Sequence, residues 1–319
     1  MIDSNATSAT TIDSAATGAG LTAAAAAIRQ RLVDGGLDPD YVARVVRMTV
    51  EEDLAGGIDA TSAATVPAEA RCTADFATRK AGVAAGIAVA AAVLDFVSGG
   101  SAEFEFHVED GARIEAGQVL FSVTGRTRDL LTAERSALNL LCHLSGVATL
   151  TRAWVDAVAG TGAKIRDTRK TTPGLRQLQK YAVRCGGGVN HRMALSDAAM
   201  VKDNHVVAAG GAVEAFKLVR AQYPELSVEV EVDSLDQLLP VVEAGAELIL
   251  LDNFTPDRMR AAVLLVGRNE PYGRTLLEAS GGLTLDMARA AAESGVDYLS
   301  VGALTHSAPI LDIGCDFRA

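Results

Sequence analysis

The segment SVEVEVD sets Glu229, Glu231 and Asp233 at every second position, with Val228, Val230 and Val232 between them. In an extended strand that alternation puts the carboxylates on one face and the valines on the other. If the valine face packs under outer helices, the carboxylates point inward, which is costly unless they meet cations or a metal. Asp252, in ELILLDN, falls one strand further on. Carboxylates on neighbouring strand ends suit a divalent ion and sugar hydroxyls; an edge strand would instead leave them as a wet acidic face. Glu229, Glu231 and Asp233, with Asp252, are therefore candidates to hold such an ion or such hydroxyls.

A second pattern is cationic. Between Lys164 and Lys202 lie nine Lys or Arg but only two acids, Asp167 and Asp197, in a chain of net charge −11. A basic island in an acidic protein suggests a small anionic ligand. Arg176, Lys180 and Arg184 recur at helical spacing, and a solvated helix face over residues 175–184 is the competing reading for these three. Arg169, Lys170, Arg192 and Lys202 remain, enough to neutralise several negative charges, and His191 beside Arg192 could donate a hydrogen bond. Lys202 follows AAMV, at a strand end. There it could form a Schiff base or stand as a fixed charge for a carboxylate or phosphate, and its basic surroundings favour the second role. The stretches EASGGLT (278–284) and SVGALTH (300–306) each place Gly at a strand exit leading into a helix. Such turns aim backbone N–H groups at phosphate, so the two motifs together mark a phosphate-binding pair of turns at the last two strands.

These residues need a scaffold that gathers strand ends. From Leu130 onward a long helix, about 132–159, precedes six short apolar runs at 163–168, 198–203, 227–233, 247–253, 275–281 and 297–303, with room for a helix between them. Repeated strand–helix units predict a parallel sheet with right-handed crossovers. Each run ends in polar residues, as expected for an α/β barrel of fewer than eight strands with its site at the carboxyl ends; a doubly wound open sheet is the competing architecture. Upstream, residues 70–125 carry β-rich stretches interrupted by an Ala-rich helix near 87–97, an α+β unit of its own. The expected division is a disordered tail over 1–25, an N-terminal α+β domain over 26–130, a barrel over 131–305, and a segment over 306–319 packing back on the N-terminal domain.

Composition narrows the function. The chain has 319 residues, 49% hydrophobic and 22% charged, with only 4% aromatics. The acidic balance argues against nucleic acid or an anionic membrane as partner. No apolar run reaches the roughly 18 residues that span a bilayer. The N-terminus lacks a basic residue before Arg29 and does not read as a signal peptide. Cys72, Cys142, Cys185 and Cys315 form no CxxC pair and read as reduced thiols of a cytoplasmic protein.

RDTRKTTPGLRQLQKYAVRCGGGVNHR (166–192) and MVKDNH (200–205) resemble the quinolinate phosphoribosyltransferase family. TAERSALNLLCHLSGVAT (132–149), VEVEVDS, LLDNF, EASGGL and SVGALTH carry the same resemblance, which runs from about residue 26 to the end. GGIDAT (56–61) departs from the GxGDxT pattern often found in the family. The resemblance implies an N-terminal α+β open sandwich followed by an incomplete α/β barrel, assembled as a homodimer with shared active sites. It implies transfer of a phosphoribosyl group from 5-phosphoribosyl 1-pyrophosphate to quinolinate with Mg²⁺, giving nicotinate mononucleotide, pyrophosphate and CO₂ in NAD synthesis. It assigns Arg135, Arg169, His191, Arg192 and Lys202 to the dicarboxylate, with Arg135 supplied by the neighbouring subunit. It sets Lys170 at the pyrophosphate, Glu231 and Asp252 at the ribose hydroxyls and Mg²⁺, and Ser280, Gly281 and Gly302 at the 5-phosphate. Two other readings stay open: a related transferase for another pyridine or nucleobase, and a Schiff-base lyase using Lys202.

Overall fold

A computed structural model describes residues 22–267 and 275–318. The expected disordered stretch falls, for residues 1–21, outside the described residues, and residues 23–25 already belong to the first helix.

The chain opens with three capped helices. Thr22 accepts from the Ala25 amide to start α1 (Ala23–Asp34), and Asp38, followed by Pro39 at the first position, starts α2 (Pro39–Leu54). In the GGIDAT stretch Asp59 caps α3 (Ala60–Thr65) by accepting from Ser62 N at 3.0 Å, so that turn has a simple local cause. There follow β1 (Arg71–Thr78), β2 (Gly82–Val83), α4 (Ile87–Val97), β3 (Glu103–Phe106), β4 (Arg113–Ile114) and β5 (Val119–Arg126). Phe76 and Phe121 face each other across β1 and β5, and their rings stack at 4.4 Å.

The long helix α5 (Thr127–Ala157) begins five residues before its expected start and joins the two halves of the molecule. Its buried stripe runs through Leu130, Ala133, Ala137, Leu141, Leu144 and Ala148, at the spacing of one helix face. At Gly146 a Cβ would strike Pro309 O and stand 2.9 Å from Ile310 Cα, so glycine lets the returning chain lie directly on the helix.

All six expected strands of the second half form: β6 (Lys164–Arg166), β7 (Ala199–Val201), β8 (Val228–Val232), β9 (Leu248–Asp252), β10 (Leu276–Ser280) and β11 (Tyr298–Ser300). Between them run α6 (Arg176–Cys185), α7 (Asp203–Ala209), α8 (Ala212–Gln222), α9 (Leu235–Glu243), α10 (Pro256–Val266) and α11 (Ala288–Glu293), with α12 (Ala303–His306) after β11. The strands are parallel in the order β6-β11-β10-β9-β8-β7. First and last strands pair, which a doubly wound sheet does not do; the sheet curls into a barrel left open between β6 and β7. Val228, Val230 and Val232 are buried on the helix side of β8, and Glu229 and Glu231 take the inner side.

The chain then returns. β12 (Ile313–Arg318) pairs antiparallel with β1, giving a four-stranded sheet in the order β12-β1-β5-β3.

Candidate active site

A cavity of about 650 Å³ opens at the carboxyl ends of the barrel strands. Every strand exit contributes: Thr168, Arg169 and Lys170 after β6; Lys202 and Asp203 after β7; Glu231 on β8; Asp252 on β9; Ser280 and Gly281 at β10; and Gly302 with His306 after β11. His191 and Arg192 reach it from the connection between α6 and β7. Of the residues assigned to a substrate or metal, Arg135 alone stays outside this lining, exposed on α5; Glu229 and Asp233, named with Glu231 for their shared strand face, do not line it either.

The loop bearing Arg169 and Lys170 is held by α6. Asp167, fully buried, accepts from Lys180 Nζ, from Asn190 Nδ2 at 2.6 Å and from the His191 amide at 2.8 Å. Lys180 Nζ also donates to His191 O at 2.8 Å. This corrects the reading of a solvated basic face on α6 for two of its three residues: Lys180 is 0% exposed and Arg176 donates to Met193 O at 3.0 Å, while Arg184 is exposed. Buried Gln179 accepts from Thr172 N at 2.9 Å and donates to Thr305 O at 2.8 Å, while Thr305 Oγ1 donates to Lys170 O at 2.8 Å. Such a network, with its buried members satisfied, fixes two loops that would otherwise be free to move.

The cations held there are unbalanced. Among the described residues no ion pair joins Arg169, Lys170 or Arg192 to a carboxylate. Burial and then the neighbouring charge of Arg169 pull the Arg192 pKa down, and the charges of Glu229 and Asp197 only partly oppose them. Lys202 Nζ stands 3.7 Å from Glu231. Burial raises the Glu231 carboxyl above its ordinary value; Asp252 and Asp203 push the same way, and Lys202 opposes them. One side of the cavity therefore gathers positive charge and the other carboxylates.

Gly281 has φ +84°, and a Cβ there would meet Asn253 and stand 2.8 Å from Asp252 Oδ1. At Gly302 a Cβ would lie 3.1 Å from Lys170 Cδ and 3.2 Å from His306 Nε2. Both turns bring bare backbone to the cavity wall, where a phosphate can approach the N–H groups.

His191 lines the cavity. Its Nδ1 accepts the Arg192 amide at 2.7 Å, and its Nε2 lies 2.8 Å from Glu229 Oε2 and 3.7 Å from Glu278 Oε1. Nδ1 is thus occupied, while Nε2 stands near two carboxylates without a hydrogen bond to either. Burial presses the His191 pKa down to about 4 and the Glu229 pKa up to about 7; it also raises Glu278, which has Glu229 as a charged neighbour. Arg166 and Glu278, which form an ion pair at 2.5 Å, were not singled out in the sequence. Strand parity held the signal: Glu278 shares a face with Ser280 on β10, as Arg166 does with Thr168 after β6.

An α/β-barrel pocket with unpaired cations, paired acidic strand ends and two glycine turns defines an enzyme for small, multiply anionic substrates. Residues 59–145 match the N-terminal domain of quinolinate phosphoribosyl transferase, and residues 147–316 match its C-terminal domain. The chain belongs to that family. It is 55% identical over 278 residues to a Mycobacterium leprae protein named nicotinate-nucleotide pyrophosphorylase [carboxylating], spanning 87% of this chain and 97% of that one. It is 37% identical to quinolinate phosphoribosyltransferase [decarboxylating] 1 of Nicotiana glauca, over 90% of this chain and 85% of the other. The nicotinate-nucleotide pyrophosphorylase of Francisella tularensis superposes with a TM-score of 0.82 at 35% identity, covering 88% of this chain and 98% of its own.

Proposed function

We propose that this enzyme transfers the phosphoribosyl group of 5-phosphoribosyl 1-pyrophosphate to quinolinate with loss of CO₂, giving nicotinate mononucleotide and pyrophosphate for NAD synthesis. The observation that carries this reading is the convergence of Arg169, Lys170, Arg192 and Lys202 on one cavity, three of them without an internal carboxylate partner. A dicarboxylate and a pyrophosphate need that many cations; a monocarboxylate would need fewer.

In this reading Arg169, Arg192 and Lys202 hold the two carboxylates and orient the ring nitrogen toward C1 of the ribose. Lys170 stands at the pyrophosphate, and the backbone at Ser280, Gly281 and Gly302 takes the 5-phosphate. Glu231 and Asp252 accept hydrogen bonds from the ribose hydroxyls and sit beneath the positive charge that develops as the C1–O bond breaks. The ring nitrogen forms the new bond to C1, and pyrophosphate leaves with the electron pair. The pyridinium so formed withdraws electrons, the C2–carboxyl bond breaks, and C2 takes a proton from solvent. Carboxylate oxygens beside a substrate pyrophosphate are the donor set Mg²⁺ prefers, so Glu231 and Asp252 fit such an ion. When bound it would neutralise the leaving pyrophosphate.

The exposed position of Arg135, outside its own chain's cavity, supports a homodimer in which this residue enters the neighbour's site. No helix among the described residues is long and apolar enough to cross a membrane. The four thiols are unpaired, in keeping with a cytoplasmic location. The test is release of ¹⁴CO₂ from carboxyl-labelled quinolinate, dependent on the sugar donor and equal in amount to the pyrophosphate formed. Absence of CO₂ release, or a borohydride-stabilised adduct on Lys202, would overturn it.

A further inference from the structure

The loops that carry the cavity's cations are tied to one turn of α6, and that turn is held from the N-terminal domain. Gln179, Lys180 and Tyr181 follow one another on α6 and are all buried. Gln179 reaches Thr172 and Thr305, and Lys180 holds Asp167 and the His191 carbonyl. Tyr181, one position on and so about 100° further round the helix, leaves the barrel. Its hydroxyl donates to Asp110 Oδ2 at 2.6 Å. Burial first, and then the charge of Asp110, raises the Tyr181 phenol above its ordinary 10, so it remains the donor.

Asp110, in the turn before β4, also starts another helix. α4 follows Gly86, which has no side chain to cap the first turn. Asp110 supplies the missing acceptors, taking the Gly86 amide on Oδ2 at 2.9 Å and the Ile87 amide on Oδ1 at 3.1 Å. Amide donors and backbone dipoles both favour a carboxylate there. Two further contacts reach α6 from the same domain. Arg184 Nη2 donates to Gly35 O at 2.7 Å, and Tyr41 OH donates to Gly174 O, just ahead of the helix, at 2.7 Å. At Gly35 a Cβ would stand 2.8 Å from Tyr181 Cε2, so bare backbone lies against the ring.

We propose that Asp110 and Tyr181 are positioning residues for the dicarboxylate subsite, a role that rests on the function proposed above. The carboxylate is held by the first turn of α4, and the phenol bound to it fixes the rotation of α6 about its axis. That rotation decides where the Lys180 ammonium meets Asp167 and the His191 carbonyl. Arg169 lies two residues after Asp167, and Arg192 follows His191, so both guanidinium groups inherit the setting. Glu231, Asp252 and the turn at Gly281 are carried instead by β8, β9 and β10.

The experiment compares the full-length enzyme with Tyr181→Phe, using Phe76→Leu as a stability control away from α6. Tyr181→Phe removes one hydroxyl and keeps the ring against Gly35. Its affinity for quinolinate, measured by calorimetry, should fall about fivefold or more, while that for ribose 5-phosphate stays within about twofold. Phe76→Leu thins the ring stack between β1 and β5; it should lower the urea midpoint and leave both affinities within about twofold. Coupling between sites is reciprocal, so hydrogen exchange tests it in the parent as well. Quinolinate should slow exchange over residues 84–94, at the start of α4, more than over residues 119–126, and should not do so in Tyr181→Phe. Equal losses for the two ligands in Tyr181→Phe, the same quinolinate loss in Phe76→Leu, or no protection of residues 84–94 in the parent would overturn the proposal. A parent that neither binds quinolinate nor forms product would sink the functional reading and this proposal with it. A parent that does both, matched in every measurement by Tyr181→Phe, would sink this proposal alone.

Discussion

Ser280 and Asp252 are register partners at the carboxyl ends of β10 and β9. One ladder thus aligns the acidic side of the cavity with its glycine turn. Gly281 comes next, in a left-handed conformation that side chains rarely adopt. Gly281→Val should raise the KM for the sugar donor about tenfold or more while leaving quinolinate binding, measured alone by calorimetry, much less affected. Because the new Cβ also crowds Asp252, kcat should fall as well. Equal losses for both ligands would place the phosphate elsewhere.

Turnover should stop in excess chelator and return when Mg²⁺ is restored. Glu231→Gln and Asp252→Asn should each lower kcat by about a hundredfold or more, since each removes negative charge from beneath the forming cation. Undiminished rates in chelator would separate these carboxylates from any ion.

Arg135→Ala and Lys202→Ala should each be nearly inactive alone. Mixed under conditions that exchange subunits, they should regain part of the activity, because some hybrid dimers hold one cavity with both residues intact. Demonstrated exchange without recovery would assign Arg135 to its helix surface.

His143 gives a pH dependence. Gln179 Nε2 lies 2.9 Å from His143 Nε2, so an amide donor faces the ring nitrogen, and burial depresses the histidine pKa below its ordinary 6.5. As pH falls below 6.5 the unfolded chain takes the proton first, so the stabilisation is complete above that pH and is lost toward the depressed folded value. His143→Gln should therefore lose less stability than the parent between pH 7 and pH 5, measured by urea unfolding. Parallel curves for the two proteins would show that this ring does not titrate in that window.

The barrel was legible because each strand carries its own evidence: a short apolar run, a polar exit, and room for a helix before the next. The period-two alternation of SVEVEVD told which carboxylates would enter the interior, and Val228, Val230 and Val232 lie on the outer side as it required. The basic island likewise marked the loops that hold Arg169, Lys170 and Arg192. Lys180 was misjudged because helical spacing describes one helix alone; the partner that draws it inward, Asp167, sits thirteen residues earlier on another element. Glu278 escaped notice because a single acid in an apolar run shows no periodicity until its cross-strand neighbours are known. Arg135 lies outside its own chain's cavity, and the role proposed for it would need a second chain, which no pattern along one chain encodes.

The pairing of β12 with β1 gives this protein an order of events during synthesis. Residues 71–78 leave the ribosome early, yet their edge is covered only by residues 313–318, after the whole barrel has been made. Until then β1 presents open hydrogen-bonding groups to the surroundings, the situation in which nascent chains pair wrongly. The first half therefore cannot finish folding first, although it is translated first. The barrel can close on its own contacts, and its completion delivers the last strand to the sheet that has been waiting for it. Loss of residues 313–318 would be felt more than two hundred positions away, in the N-terminal sheet rather than at the catalytic cavity.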